Sequence, residues 1–488
     1  MSGDEEKALP KKSEFSEWYT EVVERADLCD KRYPIKGMNV WRPYGWKIMR
    51  NIDNIIRKEM ERTGHEEVYF PMLIPVEQFK READHIKGFF GQVYMVTRAG
   101  DEELDIPMIL RPTSETAIYP LFSLWVRSHA DLPLKVFQIV NTFRYETKHT
   151  RAFIRVREIH FFESHTCHRD FEDAERQVRE DLDIMAKLMR DLCLPYIVCK
   201  RPDWDKFPGA YYSLGVDVFM PSGRTLQVGS IHNYRTNFSE PYNIKYEDEH
   251  GEHHYVHQTT YGMSERLVGA VVGIHGDDRG IVLPPKIAPY HGVIVPILSK
   301  ELKDPIIDVC ARVRDSLQNA GYSIILDDRD LRPGNKYYYW EMRGVPIRLE
   351  VGPRDYADDT ITLSLRHTLE RRVVKREKIA EEFGKALAEV ESGLMERAKA
   401  MLLSSIKVVD GLDDVKEGQI SVMWWCGDDS CGMEIEEITG LSALGTRHEE
   451  FHDVLDDTNI LSNLNEKPRI CINCGRDATQ ILFLSKTY

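Results

Sequence analysis

No run of the 488-residue chain approaches the ~18 consecutive apolar residues of a membrane-spanning helix, which excludes an anchor of that kind. Cysteine is scarce and odd in number, nine in all, unlike the disulfide framework of a small secreted domain. The opening stretch MSGDEEKALPKKSEF is charged and lacks an apolar core, so a short mobile leader is expected there rather than a secretory signal. These absences point to the cytoplasm. Positive charge is also short: 65 Lys+Arg against 80 Asp+Glu leave a formal charge of −15. That balance argues against bulk nucleic-acid binding and leaves room only for local basic patches. Internal repeats and low-complexity tracts are absent too. Hydrophobic content of 42% and charged content of 30% are those of an ordinary globular protein. The length suggests about three domains, each able to bury a core.

What is present divides accordingly. WRPYGWKIMRNIDNIIRKEM places Ile48, Ile52, Ile55 and Ile56 at helical spacing, and EEVYFPMLIP follows as a β-rich run broken by Pro71 and Pro75. LKVFQIVNTFRYE and FIRVREIHFFE read as strands, with TKHTRA as the polar connection of an antiparallel hairpin. FEDAERQVREDLDIMAKLMRDL has the spacing of a helix, and YSLGVDVFMPSGRTLQVGSIHNY returns to strands around a Pro-Ser-Gly-Arg turn. HQTTYGMSERLVGAVVGI reads as a strand turning into a helix capped by Ser264. After LPPKIAP, strands and helices alternate, which predicts a separate α/β domain. From about Leu402 a third segment holds four of the nine cysteines.

The hairpin is unusual for an acidic chain. Between Phe143 and Glu163 it gathers Arg144, Lys148, Arg151, Arg155 and Arg157 among aromatics and glutamates. Strand alternation would align Thr142, Arg144 and Glu146 on one strand, and Phe153, Arg155, Arg157, Ile159, Phe161 and Glu163 on the other. Such a face offers groups for a polyphosphate, a cationic amine and an apolar ring. Taken alone, it reads more readily as a solvated sheet face with weak cross-strand ion pairs.

Other segments tip the balance. TGHEEVYFPML with Pro71, the FRYE…RVREIHFFE hairpin, and TYGMSERLVG with Arg266 resemble, in order, the end of motif 1, motif 2 and motif 3 of the class II aminoacyl-tRNA synthetases. RPTSE, TLQVGSIH and GIVLPPKIAP are similar to the prolyl-tRNA synthetases of the archaeal and eukaryotic type, and the likeness runs from about Phe15 to the end. The resemblance implies a class II antiparallel sheet flanked by helices (an α+β catalytic domain, 15–289, behind the leader 1–14). An α/β anticodon-binding domain, 290–400, and a small α+β extension, 401–488, would follow. It implies a homodimer joined by the helix before motif 1, acting on ATP, L-proline and tRNA(Pro), with Mg²⁺ accompanying the nucleotide. Arg144 and Arg266 would be catalytic. Arg144 is similar to the α-phosphate arginine and Arg266 to the arginine against adenine and the γ-phosphate. Arg155 would be a second phosphate contact, Glu146 an acceptor for the adenine amine, and Gln227 and Ser230 neighbours of the nucleotide. Ile159 stands where the family usually stacks an aromatic ring on adenine. Proline would be held by Thr113, Glu115, Arg144, Phe161, Glu163 and His232. Singly, Thr113 and Glu115 also suit a helix cap, and Phe161 and His232 suit a core.

Cationic donors at the developing charge are what adenylation requires, since it brings a carboxylate onto an anionic phosphate. No side-chain nucleophile is needed afterwards, because the tRNA ribose hydroxyl attacks the adenylate. Residues 291–380 carry 16 Lys+Arg and 14 Asp+Glu, with a cluster at RRVVKREK that reads either as phosphate contacts or as a solvated charged helix. Residues 401–488 carry 7 Lys+Arg and 16 Asp+Glu, a poor match to a tRNA backbone. There Cys426 and Cys431, then Cys471 and Cys474, form two knuckles suited to a structural Zn²⁺, with a redox pair as the alternative. The closing SKTY resembles the family's C-terminal tyrosine, which approaches the active site. Bacterial-type relatives carry an editing insertion between motifs 2 and 3, whereas only residues 164–260 lie between Glu163 and Tyr261. Misactivation of cysteine or alanine without editing in cis is therefore expected. Rival readings are a synthetase for threonine or serine and a catalytically silent tRNA-binding paralogue.

Overall fold

A computed structural model describes residues 8–81, 89–448, 462, 464 and 468–488. Its frame is an eleven-stranded sheet. The central strands Ile197–Lys200, Tyr212–Met220, Arg224–Arg235, His257–Ser264, Glu158–His168 and Leu134–Phe143 lie side by side in that order, every neighbour antiparallel. Tyr212–Met220 is buried along its whole length, which is why YSLGVDVFM is nearly continuous in apolar residues. The helix Phe171–Asp191 packs on one face with Val178, Leu182, Met185 and Leu188, and Asp170 caps it by accepting from the Asp173 N–H at 2.8 Å. The helix Pro43–Arg62 opens with proline in its first turn and buries Ile48, Ile52, Ile56 and Met60 in the same core. The helix Arg266–His275 is buried at every position after Arg266.

A second, five-stranded sheet, Ile324–Leu326, Gly292–Pro296, Ile347–Val351, Thr360–Leu365 and Arg371–Lys375, mixes parallel and antiparallel pairs over its own core. The helix Ile379–Ser405 leaves it and delivers the chain back to the large sheet at Ile406–Val408. The segment after Ser405 does not stand apart. Its strand Ser442–Arg447 pairs with Ile197–Lys200, so the C-terminal module continues the central sheet. Gly445 makes that junction possible: at φ +115°, an added Cβ would stand 2.0 Å from the Lys200 carbonyl oxygen.

Several sequence expectations change. The hairpin ladder ends at Phe143 and Glu158, so residues 144–157 form a long connection, not two strand ends with TKHTRA between them. The Arg144 and Arg157 N–H groups bond the Arg157 and Gly37 carbonyls, and Phe153 takes φ +62°, which takes Arg155 and Arg157 off any strand alternation. Arg371–Lys375 is a strand followed by a short turn, not a charged helix. Ser264 accepts from the Arg266 N–H at 3.3 Å, but the residue preceding the helix is Glu265. Of the expected leader, residues 1–7 lie outside the described residues, while Lys12 is fixed rather than mobile. Its ammonium donates to the Ile274 carbonyl at 2.9 Å and the Gly276 carbonyl at 2.5 Å.

Candidate active site

The central antiparallel strands form the floor of a cavity of about 310 Å³. Every residue expected to touch ATP or proline lines it: Arg144, Glu146, Arg155, Gln227, Ser230 and Arg266, with Thr113, Glu115, Phe161, Glu163 and His232. The first strand after the connection explains part of this. From Glu158 on the register is regular, so Ile159, Phe161, Glu163 and His165 share the cavity face while Phe162 enters the core.

One wall is cationic. Arg266 donates from Nε to the Ile154 carbonyl at 2.9 Å and from Nη1 to the Gln227 carbonyl at 3.2 Å. Arg144 Nε donates to the Pro112 carbonyl at 3.1 Å, and its guanidinium lies 5.2 Å from the Phe89 ring centroid. Burial, then the neighbouring charges of Arg144 and Arg155, pulls Arg266 down to about 10. Arg155 donates to Glu146 at 3.1 Å, so one guanidinium is partly balanced.

Acidic and apolar groups line the same cavity. Thr113 Oγ1 donates to Glu115 Oε2 at 2.6 Å, and the Tyr234 hydroxyl donates to Glu115 Oε1 at 2.9 Å. Thr113 and Glu115 therefore do not cap the helix Glu115–Trp125, which has no side-chain cap at all. Glu163 accepts from Ser114, and from Gln138 Nε2 at 2.8 Å, with His165 Nε2 3.1 Å away. Burial pushes the Glu163 carboxyl up, but the hydrogen bonds and charge of these partners outweigh it and hold the group below its ordinary value. His232 sits between Ser213 Oγ at 2.7 Å and Ser230 Oγ at 3.1 Å, and burial lowers it to about 3, keeping it neutral. Phe161 is only half-buried and lies over Gly262, where an added Cβ would come within 3.0 Å of the ring. Sequence reasoning missed His165, Arg201 and Phe207 as wall residues. His165 was legible as the next residue on the Glu163 face, whereas nothing in the sequence pointed to the other two.

The four cysteines singled out also come together. Cys426 follows the strand Ile420–Trp425, Cys431 lies in the helix Asp429–Thr439, and Cys471 and Cys474 occupy the turn before Gln480–Ser485. All four sulfurs lie within 4.8 Å of one another, with Cys431 and Cys471 at 3.7 Å. A tetrahedral zinc with bonds of about 2.3 Å needs sulfur–sulfur edges of about 3.8 Å, so the donor set fits. The C-terminal Tyr488 packs its ring near the Arg151 and Arg224 guanidiniums and bonds Ser222 Oγ at 2.7 Å, without lining the cavity.

Comparisons with known proteins agree with this architecture. Residues 94–275 match the family model of the tRNA synthetase class II core domain (G, H, P, S and T), 292–386 that of the anticodon binding domain, and 412–488 that of the prolyl-tRNA synthetase C-terminal domain. The proline–tRNA ligase of Thermococcus kodakarensis is 54% identical over 481 residues, covering 97% of this chain and 98% of that one. The Pyrococcus horikoshii proline–tRNA ligase is 54% identical over 487 residues, covering 97% and 98%. Among solved structures, Giardia lamblia prolyl-tRNA synthetase in complex with prolyl-adenylate superposes with a TM-score of 0.92 at 32% identity, covering 99% of both chains. The Cryptosporidium parvum enzyme complexed with halofuginone and AMPPNP gives 0.90 at 31%, covering 98% and 99%. The chain thus belongs to the proline–tRNA ligase family of class II aminoacyl-tRNA synthetases, enzymes that use ATP to join proline to tRNA.

Proposed function

We propose that this cavity holds ATP along its arginines and proline against Glu163. The observation that carries this reading is the convergence of Arg144, Arg155 and Arg266 in one cavity with a buried, ionised Glu163. The proline carboxylate attacks the α-phosphate, pyrophosphate leaves, and Arg144 and Arg266 neutralise the charge that builds there. Glu163 and Glu115 receive the secondary ammonium while Phe161 covers the ring. Arg155 gives up Glu146 to reach a phosphate, and Glu146 then accepts from the adenine amine. Gln227 and Ser230 border the nucleotide, Ile159 forms an aliphatic platform for the base, and Mg²⁺ arrives with the phosphates. The terminal ribose hydroxyl of tRNA(Pro) next attacks the prolyl carbonyl carbon, and AMP leaves. Pyrophosphate exchange measured with each standard amino acid in turn tests the reading. Proline should dominate, and equal exchange with threonine or serine would replace it.

The edge of the large sheet supports a homodimer. The strand Glu66–Glu67 ends the sheet, and beside it Tyr69 (77% exposed), Leu124 (58%) and Trp125 (43%) stand in solvent. A second copy covering this face would hide both the edge and the apolar side chains. Sedimentation of the full chain should give twice the chain mass, and a Leu124→Glu, Trp125→Glu double variant should sediment as a monomer. The four cysteines hold one structural Zn²⁺ in this reading, and nine cysteines without a disulfide suit the cytoplasm.

A further inference from the structure

The segment Arg201–Phe207 has two faces. Arg201, Asp205 and Phe207 line the substrate cavity, whereas Trp204 between them is seated in the C-terminal module. Trp204 Nε1 donates to Glu436 Oε2 at 3.0 Å, and Glu436 Oε1 in turn accepts from the Ala443 N–H at 2.7 Å. The indole lies flush on Gly432, where an added Cβ would meet it at 2.3 Å, and edge-on to Trp425 with ring centroids 6.1 Å apart. Arg201 bridges the same two units. Nη1 donates to the Leu444 carbonyl at 2.6 Å, while Nη2 donates to Asp217 at 2.8 and 3.0 Å and to Gln227 Oε1 at 3.0 Å. That last bond fixes the Gln227 amide with its oxygen toward the guanidinium. At the far end, the Phe207 N–H donates to Ser213 Oγ at 2.9 Å, the same oxygen that bonds His232, and the Phe207 ring lies 4.7 Å from the His232 ring.

We infer that the C-terminal module preorganises the adenylation cavity through this segment, with Trp204 and Arg201 as positioning residues for His232 and Gln227. The module is too acidic to follow a tRNA backbone, and its strand is hydrogen-bonded into the catalytic sheet, so its contribution is made at the cavity wall. A wall held from outside keeps its groups in the productive geometry without rearrangement on binding. The inference rests on the proline and ATP reading of the cavity.

The test uses the full chain and proline-dependent pyrophosphate exchange, with active sites counted by adenylate burst. The wild-type protein comes first: lack of proline-dependent exchange there would sink the functional reading itself, a result separate from what the variants report. Gly215→Ala pushes Arg201 from behind, because the new Cβ would fall 2.2 Å from its Nη2, and Gly215 itself does not line the cavity. It should raise KM for ATP about tenfold, the loss expected for one hydrogen bond to a charged group. Trp204→Ala and Glu436→Ala should raise KM for proline several-fold at little-changed turnover per active site, with Trp204→Phe between them and wild type. If Trp204→Ala fails to fold, Glu436→Ala and Trp204→Phe carry the comparison. Lower melting temperature and fewer active sites with both KM values as in the wild type would show a purely structural junction and overturn the inference.

Discussion

At the scale of single residues, charge placement decides what the cavity can do. Arg144 and Arg266 are held by backbone carbonyls rather than by carboxylates, so their charges stay available to a ligand. Replacing either by alanine should lower pyrophosphate exchange ~100- to 1,000-fold, the usual loss for one positioned donor at a developing anion. Melting temperature should stay close to that of the wild type, because neither guanidinium anchors a carboxylate. Near-normal exchange in Arg144→Ala would refute its assignment. Glu163 makes the complementary case. It stays ionised in a buried site because Ser114, Gln138 and His165 surround it, and that ionised state is what a secondary ammonium needs. Glu163→Gln should raise KM for proline about 10- to 100-fold, as expected on losing a charged hydrogen-bond partner, with KM for ATP little changed.

Secondary-structure elements carry the next set of consequences. The basic cluster at Arg371–Lys378 lies on a strand and turn whose cations are largely spoken for. Arg371 pairs with Glu350, Arg372 with Glu370 and Glu389, and Arg376 with Asp359. Cations already paired at the surface offer a tRNA phosphate little net attraction. The two C-terminal knuckles meet at one end of the strand pair Ile420–Trp425 and Gln480–Ser485, where Trp425 opposes Gln480. Purified protein should contain about one zinc per chain, and Cys471→Ser should lose it. Metal analysis of the variant, with thermal melting, checks this. Because the module is acidic, stability should fall more than tRNA affinity does, and freshly made protein free of zinc would sink the assignment.

For the whole molecule, buried histidines contribute to acid sensitivity, while Asp181 and Glu265, raised to about 8 by burial, act against it. Burial lowers His65, His232 and His275 to about 3, against an ordinary value of 6.5. Above pH 6.5 these groups are neutral in both folded and unfolded chains, so they leave stability unaffected. Below it the unfolded chain takes up their protons first, and stability drains away as pH falls toward 3. Each such histidine adds a slope of up to about 1.4 kcal/mol per pH unit. Denaturant titrations from pH 7 to 4 should show the decline, and His275→Gln, remote from the cavity, should make it shallower. The same whole-chain view bears on fidelity. Residues 164–260 form the helix Phe171–Asp191, the central strands, a short helix Ser239–Tyr242, a small hairpin, Lys245–Tyr255, and the connections between them, with no further domain. Alanine and cysteine are no larger than proline, and a missing methylene is worth only about 1–3 kcal/mol of discrimination. Measurable activation of alanine or cysteine is expected, together with stable alanyl-tRNA for proline in the presence of enzyme. Enzyme-dependent deacylation would reveal an editing site elsewhere.

The pattern of residues by itself determined where strands and helices run and which side chains carry the chemistry. Alternation after Glu158 is enough to put Phe161 and Glu163 on one face, because a strand's side chains turn over every second residue. Tertiary structure decided the rest. Whether Arg155 and Arg157 continue that face depended on where the ladder stops, and it stops because residues 144–157 give their backbone groups to Gly37, Gln92 and one another. Whether residues 401–488 form a separate unit depended on a pairing between Thr446 and Lys200, distant in sequence, and on the absence of a side chain at Gly445. Such contacts leave no periodic trace in a sequence, since each is a meeting of surfaces that local propensity does not encode. Arg201 and Trp204 are the clearest instance: ordinary in the text of the chain, they acquire their role only where two units close on the segment between them.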